Sequence, residues 1–426
     1  MATVTWKGDA PAVAQVTQWV FAGTWEATDI VKVTIGNKTI STVTGSTTIA
    51  TLLATVAAAL NASTIPEFAE ITWSASSPNL IATGDTAGMP FSVTVSTTET
   101  GGGAADSQTI DGTTSSTGTD STACSGPWHW DTDANWSGNA KPVNSDDVVL
   151  TNSSNSIYYG LAQTAVTLTS LTIDASFTGT IGLPRTHGSG SSAYTEYRAT
   201  FLAIKATTVT IGNGPGTGSG RIKLDTSSAQ TALTVNRTGQ TAEAGMKSIT
   251  WKGTHASNVV NLNRGSFAAA YYEGETATIA TLRLGYYDNP PSDVDAYLGA
   301  GVTLTTITKT GGSLVVNSSF TTLNQGPGNA GTTIIQGGTP GTLNITGGTV
   351  DHRTTSTTTA ANVYAPGVLD CSKDNRTKTF TNATFYPGST FLDPNETVSF
   401  SNPFTIVGTL KDKTLDLGAN FTLQRA

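Results

Sequence analysis

The stretch "TLTTITKTGGSLVV", Thr303 to Val316, decides how the chain is read. Hydroxyl and aliphatic residues alternate in it. It carries one charge, Lys309, and no acid, histidine or cysteine. An echo, "GTLNITGGTVDHR", begins at Gly341. Ile307 and Ile345 take matching places, each followed by Gly-Gly and an apolar residue, and the intervening "FTTLNQ" falls near the middle. The spacing of 38 residues therefore covers two coils, each of roughly 16 to 22 residues, within the range of β-solenoid repeats.

Working outward, similar short strands recur from about Trp128 onward with no helix between them: "DDVVL", "SLTID", "TTVTIG", "RIKLD", "ALTVN", "SITWKG", "TLRLG" and "TTIIQG". A parallel β-helix explains them. Alternate side chains point inward, and strands of successive coils stack about 4.8 Å apart. About 280 residues at about 20 per coil make roughly 14 coils and a rod of roughly 65 Å. Leu304, Leu314, Val316, Leu323, Leu343 and Ile345 are expected in the core, with Thr303, Thr305 and Thr321 outside. "PRTHGSGSSAYTEYRAT" and "YYDNPPSDVDAYLG" become loops on the flank of the rod. Tandem β-sandwiches are the alternative, and they require hairpin turns between strands.

Composition agrees. Charged residues are 12% of 426, hydrophobic residues 37%, and glycines number 45. Thr, Val and Ile suit a pleated, half-buried surface, and Gly marks turns. Net charge is −8 with Lys and Arg scattered, which leaves no footprint for nucleic acid. No apolar run reaches the roughly 18 residues of a membrane span. "MATVTWKGDAPAVAQVTQ" lacks a basic start followed by an apolar core, so synthesis in the cytoplasm without a signal peptide is expected. Cys124 and Cys371 lie far apart with no CxxC or paired histidine, and read as two unconnected thiols.

The region before the rod reads differently. Residues 1–95 form an α+β unit. Ile49, Leu52, Leu53, Val56 and Leu60 make one apolar helical stripe, with Ser46, Thr47 and Thr48 as candidate N-caps. "DIVKVTIGNKTISTVT" is a hairpin around Gly36-Asn37, and "EITWSAS", "NLIATGD" and "FSVTVST" are three further strands, giving the order β-β-α-β-β-β. Residues 96–127, rich in Ser, Thr and Gly, read as a linker. Residues 128–426 are the β-helix. Trp128, Trp130 and Trp136 are suited to cap its open first coil. Phe380, Phe385, Phe391, Phe400, Phe404 and Phe421 are suited to cap its far end.

Three passages carry a resemblance. They are "VTWKGDAPAVAQV", then "TIGNKTI" with "IATLLATVAAALNAS", then "GDTAGMPFSVTVST". They resemble a small domain of structural proteins from tailed bacteriophages and prophage-like regions. "DANWSGNAKPVNSDDVVL" and the "LTTITKTGG", "LNITGGTV" and "GVLDCSKDNRTKTFTNATFYPGSTFLDPNETVSF" series look like the β-helical part of the same group. The resemblance implies a virion part: a capsid decoration, head fibre or tail appendage on the particle surface. The α+β unit would then attach to capsid or tail proteins. It carries over no catalytic residue and no cofactor. A long rod with a small attachment unit favours self-association, most simply a trimer, with host surface glycans as a contact partner.

A β-helix on a virion could also be a polysaccharide-degrading tailspike, which needs paired carboxylates about 5 to 9.5 Å apart. The candidates are Asp293 with Asp295, which share a face if extended, and Glu273 with Glu275. Tyr271, Tyr272, Tyr286, Tyr287 and Tyr297 are candidate sugar platforms beside them. "DNPPSDVD" also reads plainly as a turn. Asp131, Asp133, Asp146 and Asp147 lack calcium-loop spacing and read as turn or cap acids, so no metal is assigned. "GNGPGTGSGR", Gly212 to Arg221, lacks the ending of a phosphate-binding loop and reads as a turn. A bacterial surface adhesin is a further alternative, disfavoured by the expected lack of a signal.

Overall fold

A computed structural model describes residues 2–101, 107–285, 293–408 and 414–416. Most of the chain forms one 22-stranded sheet wound into a parallel β-helix. Its ladders run parallel from Thr3–Thr5 to the last strand, which excludes tandem sandwiches built from antiparallel hairpins. One outward column runs through Thr5, Val149, Thr172, Thr210, Thr234, Asn261, Arg283, Thr308, Asn324, Asn344, Asn362, Thr384 and Thr405, one residue for each of thirteen rungs. Because side chains alternate across a strand, its neighbours on either side point into the core. One of those inward columns reads Leu282, Ile307, Leu323, Leu343 and Ala361.

The expected core residues are buried. Leu304 is 5% exposed, and Leu314, Val316, Leu323, Leu343 and Ile345 are fully enclosed. Thr303, Thr305 and Thr321 are exposed. The register between the repeats is different from the echo, however. Ile307 stacks on Leu323 and Leu343, and the place of Ile345 is taken by Gln325 one coil earlier and by Lys309 two coils earlier. A slip of two residues keeps every side chain on its own face, so the inward set was still legible.

The true anchor is the glycine corner. Gly312, Gly331 and Gly348 stack with φ of 74°, 70° and 64°, the left-handed region. A Cβ on Gly331 would lie 2.2 Å from the Gly312 carbonyl oxygen, and one on Gly348 would lie 2.4 Å from that of Gly331. Only glycine fits, and that is why "GG" recurs. Outside the rod, Asn324, Asn344 and Asn362 form a ladder: each amide donates to the preceding carbonyl oxygen, at 2.8 and 2.9 Å.

Coil length varies more than the expected 16 to 22. Thr306 pairs with Thr322, sixteen residues on, and Thr322 with Thr342, twenty on. Thr234 pairs with Asn261, twenty-seven on, and Thr172 with Thr210, thirty-eight on. The thirty-eight-residue coil contains residues 184–200. Leu323 sits mid-rod between two aliphatic neighbours, so Leu323→Ala is expected to cost about 2–5 kcal/mol in chemical denaturation, because a packed core closes a void only partly.

The chain lays its first rung before the α+β unit. Thr3–Thr5 pairs in parallel with Asp147–Leu150, so the α+β unit is inserted between the first two rungs. The unit has two antiparallel sheets. One contains Val16–Ala22, Ile71–Ser76 and Asn79–Gly84, and the other contains Ile30–Ile35, Lys38–Val43 and Val93–Thr98. The helix Ile49–Asn61 buries Leu52, Leu53, Val56 and Leu60 in a core with Trp19, Trp25 and Trp73. Thr48 holds the N-cap position without a side-chain cap bond.

The stretch 96–127 is more than a linker. Thr109–Ile110 and Thr119–Thr122 pair with Val16–Ala22, and Ser115–Ser116 pairs with Val93–Thr98. Ile110 is fully buried. Backbone ladders hold these strands, and a Ser/Thr/Gly composition does not disclose such ladders.

At the start of the rod, Trp6, Trp130 and Trp136 close the core. Trp136 meets Trp130 edge-on at 4.7 Å and Trp6 at 5.0 Å between ring centroids. Trp128 is instead half-buried beside Tyr158, at 6.5 Å, and its ring lies against Gly88 of the α+β unit. At the other end Phe380, Phe385 and Phe391 are buried, with Phe400 and Phe404 packed against them. Phe421 lies outside the described residues.

Candidate functional site

The flank that the sequence singles out is built on an outward column of the second sheet face. Lys223, Thr250, Ala268 and Tyr297 stack on successive rungs. Loops folding over this column bury its first members. Lys223 is 1% exposed although it points away from the core. Its Nζ lies 3.2 Å from Glu243 Oε2 and donates to Tyr272 Oη at 3.2 Å. Burial pushes the Lys223 ammonium down, with the Glu243 charge opposing. Burial and the Glu243 and Glu275 charges push the Tyr272 hydroxyl well up.

Tyr272 is therefore structural. Arg185 lies 5.0 Å and Lys223 5.4 Å from its ring centroid. Cations over an aromatic face occupy the surface that a sugar would stack on. Tyr271 and Tyr297 form an aromatic corner, centroids 5.2 Å apart at 54°. Tyr271 Oη donates to the Gly245 carbonyl at 3.0 Å, which fixes its ring. Tyr286 and Tyr287 lie outside the described residues.

The carboxylates are mostly spoken for. Glu275 accepts from the Tyr272 backbone N–H at 3.0 Å and lies 3.9 Å from Lys252, itself 3.7 Å from Asp225. Asp295 is paired with Lys247. Asp293 and Asp295 flank buried Val294 on the outward side, as i, i+2 residues should, and Asp293 is exposed. Glu273 is exposed in its loop. What this face offers is a contact surface: two tyrosine rings bordered by paired charges. A groove of about 600 Å³ lies elsewhere, lined by Thr167, Lys205, Thr208, Gln230, Thr231 and Ser257. Its chemistry is hydroxyl hydrogen bonding with one ammonium.

The acids near the start of the rod act locally. Asp146 accepts from the Val143 and Ala2 backbone N–H groups at 2.9 and 3.3 Å. Asp133 accepts from the Lys141 N–H at 3.2 Å, and Asp147 from Ser170 Oγ at 2.5 Å. Among the described residues no group of three or more His, Cys, Asp or Glu is placed to hold a metal, and no helix is long and apolar enough to cross a membrane.

A dense polar cluster escaped the sequence reading. The insertion 184–200 makes a small hairpin, Thr186–His187 with Tyr194–Thr195, that docks on the α+β unit. Arg198, 6% exposed, donates to Glu196 Oε1 at 2.8 Å, and Glu196 is fully enclosed. Arg198 also reaches Glu70 at 3.3 Å and stacks over Tyr197 at 4.7 Å. Tyr194 Oη donates to both Glu70 oxygens at 2.8 Å, and His187 Nε2 lies 3.0 Å from Glu70. Burial pushes the Tyr194 and Tyr197 hydroxyls up, with the Arg198 charge opposing. The available signal was the density of His, Tyr, Glu and Arg in "HGSGSSAYTEYR", too rich for an idle flank loop. Comparison with family models, with curated proteins and with solved structures returns no match to this chain.

Proposed function

We propose that the chain is a non-enzymatic structural component of a tailed-phage particle, a capsid decoration, head fibre or tail appendage. In this reading the α+β unit attaches to a capsid or tail protein, and the rod is exposed on the particle surface. The observation that carries it is the clamped junction: a chain of enclosed Glu196, Arg198 and half-buried Glu70 ties the α+β unit to a continuous parallel β-helix. Such a joint transmits orientation from an attachment unit to a rod. The resemblance of "VTWKGDAPAVAQV" and "GDTAGMPFSVTVST" to virion domains supports the particle assignment. Self-association, most simply a trimer, belongs to the same proposal.

The test is quantitative mass spectrometry of purified particles from the source culture. A fixed copy number per particle is expected. Its presence only in the particle-free supernatant overturns the assignment. Host glycans are the proposed contact, with Tyr271 and Tyr297 as the platform. Tyr271→Ala combined with Tyr297→Ala is expected to weaken binding to host surface polysaccharide at least tenfold, and unchanged binding rejects that platform. Wild-type protein is expected to leave the polysaccharide length unchanged. Shortening that disappears in Asp295→Asn would overturn the non-enzymatic part.

A further inference from the structure

The turn after the helix of the α+β unit carries an acid without a partner among the described residues. In "TIPEF", Thr64 to Phe68, the Ile65 carbonyl accepts from the Phe68 N–H at 3.0 Å and the Ala69 N–H at 3.1 Å. Phe68 is 1% exposed and anchors the turn in the core. Glu67 beside it is 4% exposed, and no described donor or cation reaches its carboxylate. The other two acids of this seam are answered: Glu70 by Tyr194 and Arg198, and Glu196 by Arg198. A carboxylate withdrawn from water without a donor is costly, and a cation that reaches it removes the cost.

The Glu67 carboxylate opens into a pocket. The space is about 540 Å³, the size of a small-molecule site, and lies between this turn and the hairpin of Thr186–His187 with Tyr194–Thr195. Neither Glu67 oxygen is sealed from solvent, and in a residue so buried the pocket is where solvent meets it. Ile65, Pro66 and Ala193 supply apolar lining. Both walls are fixed. Tyr194 Oη is held by both Glu70 oxygens at 2.8 Å. Gly36, at φ 58°, lets its turn lie against the hairpin: a Cβ there would fall 2.9 Å from Tyr197 Cβ. The pocket therefore stands ready before a ligand arrives. Lys38 also lines it, is exposed, and has no ion-pair partner among the described residues.

We propose that this seam binds a small zwitterion, an aminoalkanoate whose ammonium is taken by Glu67 and whose carboxylate is taken by Lys38. One enclosed anion and one rim cation, unpaired with each other, match a ligand that carries both opposite charges. The ammonium contributes most, because it meets an enclosed acceptor, whereas Lys38 acts from the solvent side, where a charge pair is worth little. The carbon chain lies along Ile65, Pro66 and Ala193. The site is separate from the tyrosine platform, and the inference does not depend on the particle assignment.

The test is a saturation-transfer NMR titration of the full-length protein with β-alanine, 4-aminobutyrate and 6-aminohexanoate, a series in which only the spacing of the two charges changes. At least one is expected to bind with a dissociation constant of about 1 mM or tighter. Propionate, butyrate and hexanoate, which lack the amine, are expected not to bind in that range. Glu67→Gln is expected to weaken binding about tenfold or more. Lys38→Gln is expected to weaken it about twofold to threefold. In the ligand-free protein Glu67→Gln is expected to raise the urea midpoint, since the carboxylate has no donor to lose. No binding by any of the three aminoalkanoates, equal binding by the acids without the amine, unchanged affinity in Glu67→Gln, or a urea midpoint that does not rise in that variant would each overturn the proposal.

Discussion

Lys309→Met is expected to stabilise the rod at pH 7 by about 2–3 kcal/mol and to flatten its stability between pH 7 and pH 10. Lys309 lies in an inward column, between Leu284 on one rung and Gln325 on the next, and is fully enclosed. Its Nζ donates to the Ala330 carbonyl. The polar atoms nearby are neutral: Gln325 donates to the Gly347 carbonyl at 3.2 Å and accepts from Thr333 Oγ1 at 2.5 Å. Burial, with no counter-charge, pushes the lysine down to about 7.

The sign follows from proton counting. Between pH 7 and about 10.5 the unfolded chain holds a proton on this lysine that the folded chain sheds. Stability therefore rises with pH across that window. Well below pH 7 both states are protonated and the penalty is fully present, about 5 kcal/mol, of which about 4 kcal/mol remains at pH 7. Removing the amine abolishes the penalty but leaves the Ala330 carbonyl unpaired, which returns about 1–2 kcal/mol. Urea denaturation of both proteins at pH 6, 8 and 10 checks this. Curves that stay parallel across the range would contradict the burial of the amine.

Arg198→Met is expected to act in the opposite direction, costing about 3–5 kcal/mol at the junction. It leaves the enclosed Glu196 side chain with only His187, 3.5 Å away, and the residue-198 backbone N–H, and a buried charge stripped of its main counter-charge is expensive. Adding Glu196→Gln is expected to recover much of the loss, since the amide needs no counter-charge. Hydrogen exchange over residues 184–200 and around Glu70 provides the readout. Faster exchange in the single variant, partly restored in the double variant, is the expected pattern. Unchanged exchange in Arg198→Met would show that the ion-pair chain holds nothing together.

These two sites mark what a sequence discloses and what it hides. Period-two alternation made Leu304, Leu314, Val316, Leu323, Leu343 and Ile345 legible as core, because a strand buries alternate residues whatever its partner. The register was less legible. The echo matched isoleucines, whereas the fold stacks glycines, and Lys309 occupies the place of Ile345. Alternation puts Lys309 on the face of Ile307, and only its charge argues for the surface, so a buried amine is what the pattern hides. The helix stripe and the Gly36-Asn37 hairpin were local patterns and were recovered. The insertion of the α+β unit after the first rung depends on Thr3–Thr5 pairing with Asp147–Leu150, and no local pattern carries contacts of that range. The same holds for the candidate sites. Tyr271 and Tyr297 were visible as aromatic residues near acids. The Glu70–Arg198 chain and the pocket at Glu67 need the fold to bring their parts together.

The stacking itself is tested most directly by one distance. Nitroxide labels at Thr172→Cys and Asn344→Cys, in a Cys124→Ser background with Cys371 buried, report on the outward column. Pairing runs from Thr172 through Thr210, Thr234, Asn261, Arg283, Thr308 and Asn324 to Asn344, seven steps of one rung each. At about 4.8 Å per rung the backbone separation is about 34 Å. Pulsed electron double resonance is expected to give one narrow distribution near that value, widened by the label arms. A broad distribution, or a narrow one displaced by 15 Å or so from about 34 Å, would contradict a continuous parallel β-helix.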